Sequence, residues 1–245
     1  MPAEAATPIG GDWYDVFEFD DGRLGVSIGD VARHGRAAAV AMVELRALLK
    51  ANVRSGRRPR NVLAGVRRQA RSLPDMATCL FALIDPVART ATIASAGHLP
   101  PVVASAADVA VVHMVPGLPI GIGLDGRDRE TTVALSSGAT LIVYTDGLIE
   151  RRRESIDRGL HRLREAVDHR LTPRQQCDHL VRTLRPNVRE DDLCRLFAIE
   201  GVAVPGRSVG GSRGGVVEVF QDGGSLRRPA ERPRPCATLP SMPLI

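Results

Sequence analysis

Residues 12–31 read DWYDVFEFDDGRLGVSIGDV and contain two strand-like runs on either side of a turn. The first run, 14–19, alternates apolar and polar residues, and the second, 23–28, follows directly after Asp20-Asp21-Gly22. An Asp-Gly pair between two such runs is typical of a β-hairpin. The sequence therefore predicts an antiparallel hairpin, and Asp30 follows its second strand as a carboxylate at a strand end.

Four short acidic motifs lie far apart along the chain. They are Gly10-Gly11-Asp12-Trp13-Tyr14-Asp15, Gly29-Asp30-Val31, Thr145-Asp146-Gly147 and Asp191-Asp192-Leu193. Three of them adjoin an apolar run with strand character, where an unpaired buried carboxylate would be costly. Several such carboxylates converging indicate a bound cation. Oxygen ligands without Cys or His at metal spacing favour Mg²⁺ or Mn²⁺ over Zn²⁺, and these ions commonly serve phosphate chemistry.

The rest of the chain mixes helices with short strands. The periodicity predicts helices over 36–52, 60–72, 148–153, 159–171 and 173–185, and strands over 78–84, 90–95, 101–104, 109–114, 131–135, 140–144 and 193–199, the last strand. Because strands and helices do not alternate, the pattern favours an α+β fold over a doubly wound parallel sheet. Residues 201–245 are rich in Gly, Pro, Arg and Ser, which predicts a disordered tail after a domain spanning 1–200.

The composition excludes several classes of protein. The chain has 245 residues, of which 44% are hydrophobic and 25% charged, as in globular domains. No apolar run reaches the ~18 residues of a spanning helix, and no secretory signal is visible, so we expect a cytoplasmic protein without a membrane partner. The net charge of +5 comes from arginine clusters that could contact nucleic acid. A solvated surface is the favoured interpretation, because aromatic residues for stacking are only 3% of the chain.

Six motifs in order resemble one known family. Besides the four acidic motifs, the chain contains Ala96-Gly97-His98-Leu99-Pro100-Pro101 and Pro119-Ile120-Gly121, and the third acidic motif extends over Tyr144-Thr145-Asp146-Gly147-Leu148-Ile149-Glu150. Together they resemble the bacterial PP2C-like (PPM) serine phosphatases of the SpoIIE/RsbU type over about residues 9–200. Each motif alone is weak, and the ordered set is specific.

The resemblance implies a fold, a cofactor and a reaction. The fold would be a four-layer α/β/β/α sandwich of two antiparallel sheets flanked by helices, with two Mn²⁺ or Mg²⁺ ions at one end. The reaction would be hydrolysis of phosphoserine or phosphothreonine in a partner protein. The usual partner is a phosphorylated anti-anti-sigma protein of the STAS type, whose dephosphorylation frees a sigma factor. A homodimer is a further possibility for this family.

The resemblance also assigns the catalytic residues. Asp30 is similar to the carboxylate that bridges both ions. Asp12 is similar to the acid that holds one ion together with the backbone carbonyl of Val31. Asp146 and Asp191 resemble the ligands of the other ion. Only eleven residues precede Asp12, whereas relatives usually have a further strand there, so we expect one sheet to have an open edge.

Neighbouring residues receive supporting roles. Gly147 is expected beside the ligands rather than on the ions, and Asp15 is expected either there or in a purely structural role. Asp192 is expected there as well, because adjacent residues of a strand point to opposite faces and Asp191 is taken as the ligand.

Four basic or aromatic residues lie in or near the motifs. Arg33 either contacts the substrate phosphate or is a solvated arginine. His34 does not inherit the general-acid role of a histidine in eukaryotic relatives, since that position, two residues after the bridging aspartate, is Ala32 here. His98 is predicted to be a hydrogen-bonded structural residue, and Trp13 to be part of the core.

Three functions remain open from the sequence. The leading one is an active phosphatase. The second is a non-catalytic module that keeps the fold and docks a partner of the same pathway, although a decayed site would be expected to lose one of its acids. The third is a basic nucleic-acid-binding protein, for which a steep salt dependence of binding would be diagnostic.

Overall fold

A computed structural model describes residues 11–32, 35–54, 58–70, 76–122 and 129–185, together with the backbone of 195–200 and 217–221. Four residues with predicted roles lie outside these ranges: Arg33, His34, Asp191 and Asp192. Among the described segments, no helix is long and apolar enough to cross a membrane.

The predicted hairpin is present. Strand β1 (Trp13–Glu18) pairs antiparallel with β2 (Leu24–Val31), with Trp13 opposite Gly29. The turn contains Gly22 at φ 85°, a conformation that favours glycine. Strand β2 runs three residues beyond the predicted run, so Asp30 lies inside the paired region rather than after it.

Two five-stranded antiparallel sheets contain all the named strands. The other strands are β3 (Ala77–Asp85), β4 (Thr90–Ala96), β5 (Val102–Ala104), β6 (Val109–Val111), β7 (Glu130–Ala134), β8 (Thr140–Tyr144), β9 (Arg195–Glu200) and β10 (Val217–Gln221). The first sheet has the order β1-β2-β3-β4-β7, and the second has the order β10-β9-β8-β5-β6. The pairing of β2 with β3 places Asp30 opposite Thr78.

Among the described residues, four helices flank the sheets. They are α1 (Arg36–Val53), α2 (Pro59–Gln69), α3 (Ile156–Ala166) and α4 (Pro173–Leu184). Helix α4 begins as predicted with Pro173 in its first turn, and Thr172 and Gln175 form a capping box that satisfies free N–H groups there.

In the part of the chain that the structure describes, three apolar cores separate four layers. The first lies between α1, α2 and the first sheet and contains Trp13 and Leu45. The second lies between the two sheets and contains Ile28 and Leu141. The third packs the second sheet against α3 and α4 around Leu180. The predicted α+β class and the α/β/β/α layering are therefore confirmed, and Trp13 belongs to the core as predicted.

Several predicted elements were wrong in detail. The strand predicted over 109–114 is β6, which ends at Val111. Residues 148–153 are not a helix, because a 3₁₀ turn over Asp146–Leu148 is followed by turns. Arg162 of α3 donates to the Ile149 carbonyl, and Arg153 has a φ of 68°, which a helix does not allow. The helix predicted over 159–171 is α3, which ends at Ala166 because the next residue is extended.

The strand predicted over 193–199 is not the last one. The described part is β9, and β10 pairs with it antiparallel, with Val217 opposite Ile199. The apolar patch within the predicted tail supplies this strand. The remainder of residues 201–245 lies outside the described residues.

Candidate active site

The facing sides of the two sheets end in polar residues at one end of the sandwich. Side chains alternate along a strand, so Asp30 shares the inward face of β2 with Val26 and Ile28 of the middle core. On β1 the same alternation places Asp12, which is buried, on the face of Tyr14. The apolar core between the sheets therefore ends in carboxylates.

Asp12 and Asp30 form a pair across the hairpin. Continuing the β1–β2 register by one residue places the two aspartates opposite each other, and their side chains are hydrogen-bonded. The pKa of Asp30 is raised to about 8, first by burial and then by the hydrogen bond and charge of Asp12 and the charge of Asp146. A hydrogen bond with the Val31 backbone lowers it in part. One carboxyl of the pair therefore keeps a proton at neutral pH unless a cation replaces it.

Asp146 reaches the same place from the second sheet. It follows β8 at the start of the 3₁₀ turn, is exposed, and its charge acts on Asp30. The preceding residue, Thr145, donates from its Oγ1 to Oδ2 of Asp12 over 2.8 Å. Arg185 donates to the carbonyl of Gly147 and so holds the turn from the end of α4. Residues distant in sequence thus meet at one point.

The backbone beside the pair leaves no room for a side chain. The N–H of Val31 donates to the carbonyl of Gly11 over 3.3 Å. A Cβ at Gly11 would lie 2.6 Å from the carbonyl oxygen of Val31 and 3.0 Å from Oδ1 of Asp30. Glycine at this position therefore keeps open the space around both oxygens.

His98 lies behind the site and is buried. Its Nδ1 is 2.9 Å from Oγ1 of Thr78 on β3, and its Nε2 is 3.1 Å from the carbonyl oxygen of Tyr144 on β8. Burial lowers the pKa of His98 to about 4, against a small opposing effect of the Tyr144 hydrogen bond, so the ring is neutral. The prediction that His98 is hydrogen-bonded is confirmed.

Asp15 lies on the other face of β1. Its carboxylate accepts two hydrogen bonds from Arg46 of α1, from Nε over 2.8 Å and from Nη2 over 2.6 Å. Alternation explains the difference from Asp12, because Asp15 shares its face with Trp13, which packs under the helices. The structure thus brings together Asp12, Asp30 and Asp146 and directs Asp15 away from them.

The oxygen donors match a hard divalent cation. The carboxylates of Asp12, Asp30 and Asp146 and the carbonyl of Val31 offer oxygen alone, as Mg²⁺ and Mn²⁺ prefer. Within the described ranges, no three side chains from His, Cys, Asp and Glu form a group able to hold one ion. The acid expected to complete the second ion's set, Asp191, lies outside those ranges.

The sequence did not single out the contacts that join the two sheets. The hydrogen bond from Thr145 to Asp12 and the contacts of Thr78 with His98 link residues far apart in the chain. For the contact of Thr145 with Asp12, the sequence offered one signal, which is that Thr145 directly precedes Asp146. No local pattern marks Thr78.

Comparison with known proteins identifies the family. The family model described as stage II sporulation protein E (SpoIIE) matches residues 20–199. The chain belongs to the SpoIIE family. The resemblance to PP2C-like phosphatases of the SpoIIE/RsbU type is therefore confirmed.

A curated relative and two solved structures resemble this SpoIIE-family chain. Phosphoserine phosphatase RsbP of Bacillus subtilis is 25% identical over 155 residues, covering 60% of this chain and 38% of RsbP. The RsbU and RsbW domains of Rv1364c from Mycobacterium tuberculosis are 29% identical with a TM-score of 0.66, covering 81% of this chain and 56% of that one.

The PP2C phosphatase domain of SpoIIE from Bacillus subtilis, solved with a fragment of its regulatory domain, has a TM-score of 0.65 at 22% identity. The match covers 78% of this chain and 56% of that one, and it supports the fold. Compared with RsbP, this chain spans little more than a third of the relative's length.

Proposed function

We propose that this chain is a protein phosphatase that depends on Mn²⁺ or Mg²⁺ and hydrolyses phosphoserine or phosphothreonine in a partner protein. The observation that carries the proposal is the meeting of Asp12 and Asp30 from one sheet with Asp146 from the other. Burial disfavours the charged form of Asp30, the neighbouring carboxylates of Asp12 and Asp146 repel it, and both effects raise its pKa. A bound cation would offset both effects.

The residues divide between two ions. Asp12, Asp30 and the Val31 carbonyl would hold the first, and Asp30, Asp146 and Asp191 the second. Two such ions would neutralise the charge of a phosphate dianion and lower the pKa of water, so that a nucleophile would be available near neutral pH.

The chain's own residues keep these ligands in place. Thr145 fixes the rotamer of Asp12 through its hydrogen bond, and the glycine at position 11 leaves the carbonyl of Val31 accessible. Arg185 holds the turn that carries Asp146 by binding the carbonyl of Gly147. Positioning is the larger part of catalysis in phosphoryl transfer, because the protein does little covalent chemistry.

The proposed substrate is a phosphorylated anti-anti-sigma protein of the STAS type, in a pathway that regulates a sigma factor. The name of RsbP supports phosphoserine as the hydrolysed group. The Mycobacterium tuberculosis protein carries an RsbU and an RsbW domain in one chain, which supports a role in association with regulatory proteins. The family resemblance supplies the class of partner.

Hydrolysis of p-nitrophenyl phosphate with and without Mn²⁺ tests the proposal. We expect turnover that requires Mn²⁺, is lost in Asp30→Asn and is largely kept in Asp15→Asn, whose carboxylate pairs with Arg46 instead. A folded wild-type protein without turnover in either condition would favour the alternative function, a non-catalytic binding module of the same fold.

A further inference from the structure

Two hydrogen-bonded links join the sheets on either side of Asp30. Strand β2, which carries Asp30, lies between β1 and β3. On the β1 side, Thr145 donates to Asp12. On the β3 side, His98 joins Thr78, the residue opposite Asp30, to the end of β8. Both links end within two residues of Asp146.

The hydrogen-bond directions across His98 follow from its partners. The carbonyl of Tyr144 can only accept, so Nε2 carries the proton and donates to it. Nδ1 of the neutral ring then accepts from the hydroxyl of Thr78. The imidazole thus uses one nitrogen toward each sheet, and neither contact involves a carboxylate.

The backbone of His98 is fixed as well. Its N–H donates to Oγ of Ser95 over 2.9 Å, and the Ser95 hydroxyl lies 2.8 Å from the His98 carbonyl, to which it donates. The preceding Gly97 has a φ of 71°, and a Cβ there would lie 2.6 Å from Cγ of Pro119. The ring is therefore held from its own turn as well as from both sheets.

We propose that His98 is a positioning residue that sets the separation between Asp30 on the first sheet and Asp146 on the second. The inference rests on the proposed metal centre, in which those two aspartates share an ion. A rigid ring between Thr78 and Tyr144 fixes the strand ends that carry them. Groups that orient metal ligands from behind are typically worth about 10- to 100-fold in metal affinity.

The test compares two variants that each remove one hydroxyl near the site. Thr78→Val removes the donor to Nδ1 of His98 and keeps the side-chain shape. Tyr144→Phe is the matched control: it removes the hydrogen bond from Oη to the carbonyl of Pro100, 2.8 Å away, and leaves the Tyr144 carbonyl that His98 uses. Both should lower Tm by a few degrees, as expected for one hydrogen bond.

The readout is the dissociation constant of Mn²⁺ alone, from the rise of Tm with Mn²⁺ concentration and from the free-ion signal in electron paramagnetic resonance. We expect about tenfold weaker Mn²⁺ binding in Thr78→Val and wild-type affinity in Tyr144→Phe. His98→Gln and His98→Asn, each retaining one of the two contacts, should also bind Mn²⁺ more weakly.

Three outcomes would overturn the inference. Wild-type affinity in Thr78→Val would make His98 a residue of the fold alone. Equal weakening in Thr78→Val and Tyr144→Phe would indicate general loosening rather than positioning. Absence of Mn²⁺ binding by the wild-type chain would remove the proposed metal centre itself, a result distinct from the first two.

Discussion

Replacing Asp30 by asparagine should make the metal-free protein more stable while abolishing its activity. Asp30 has a pKa of about 8, raised by burial and by Asp12 and Asp146, against 3.8 ordinarily. Between those values the unfolded chain has lost the proton while the folded chain retains it, so folding stability falls as pH rises from about 4 to about 8. Above pH 8 this loss of folding stability is complete, and an uncharged asparagine at position 30 does not cause it at any pH.

The size of the effect follows from the same pKa difference. At 1.36 kcal/mol per pH unit, the difference corresponds to about 6 kcal/mol as an upper bound. Asp30 is only partly buried, and solvent screening reduces this to about 2 kcal/mol. For a domain of this size, we expect Asp30→Asn to raise Tm by roughly 4–8 °C at pH 8.5 in EDTA, and by less at pH 5.

Urea unfolding measures the difference in free energy, and thermal unfolding the difference in Tm, for wild type and Asp30→Asn, each in EDTA and in Mn²⁺. Mn²⁺ should stabilise the wild-type protein and have little effect on the variant. Adding the ion should therefore reduce or reverse the stability advantage of Asp30→Asn. A variant less stable than wild type in EDTA at pH 8.5 would contradict this expectation, because it would show that a charged Asp30 does not destabilise the metal-free protein.

Two further substitutions test the surroundings of the pair. Gly11→Ala places a Cβ 2.6 Å from the Val31 carbonyl oxygen, so that oxygen must shift. We expect kcat/KM for p-nitrophenyl phosphate to fall about 10- to 100-fold. Unchanged kinetics in a folded variant would count against Val31 as a ligand. Asp15→Asn weakens the pair with Arg46 and should lower the free energy of unfolding, measured in urea, by about 1–2 kcal/mol. We expect kcat to be nearly unchanged, whereas a large loss of kcat would place Asp15 in the site.

Local patterns predicted much of the fold. The alternation of residues 14–19, the Asp-Gly turn and the alanine-rich run that became α1 are short-range signals, and each formed the expected element. The same alternation separates Asp12 from Asp15, since residues three apart on a strand face opposite sides. The acidic end of the hairpin could therefore be predicted from sequence.

Contacts between distant residues could not be predicted in this way. Residues 148–153 have helical propensity, yet Arg162 and Arg185 bind the carbonyls of Ile149 and Gly147 and stabilise a turn instead. The link from Thr145 to Asp12 depends on how two sheets pack, which no local pattern encodes. The roles of Asp191, Asp192, Arg33 and His34 stay predictions.

The most direct test of the central claim measures phosphate release from a phosphoserine peptide by wild type and by Asp146→Asn, with Mn²⁺ and with excess EDTA. Asp146 comes from the second sheet, so its variant tests whether both sheets contribute to one metal centre. We expect release by the wild-type chain only in Mn²⁺ and a loss of at least about 100-fold in Asp146→Asn. Equal release by the two proteins, or release by wild type in EDTA, would contradict a metal centre shared by the two sheets.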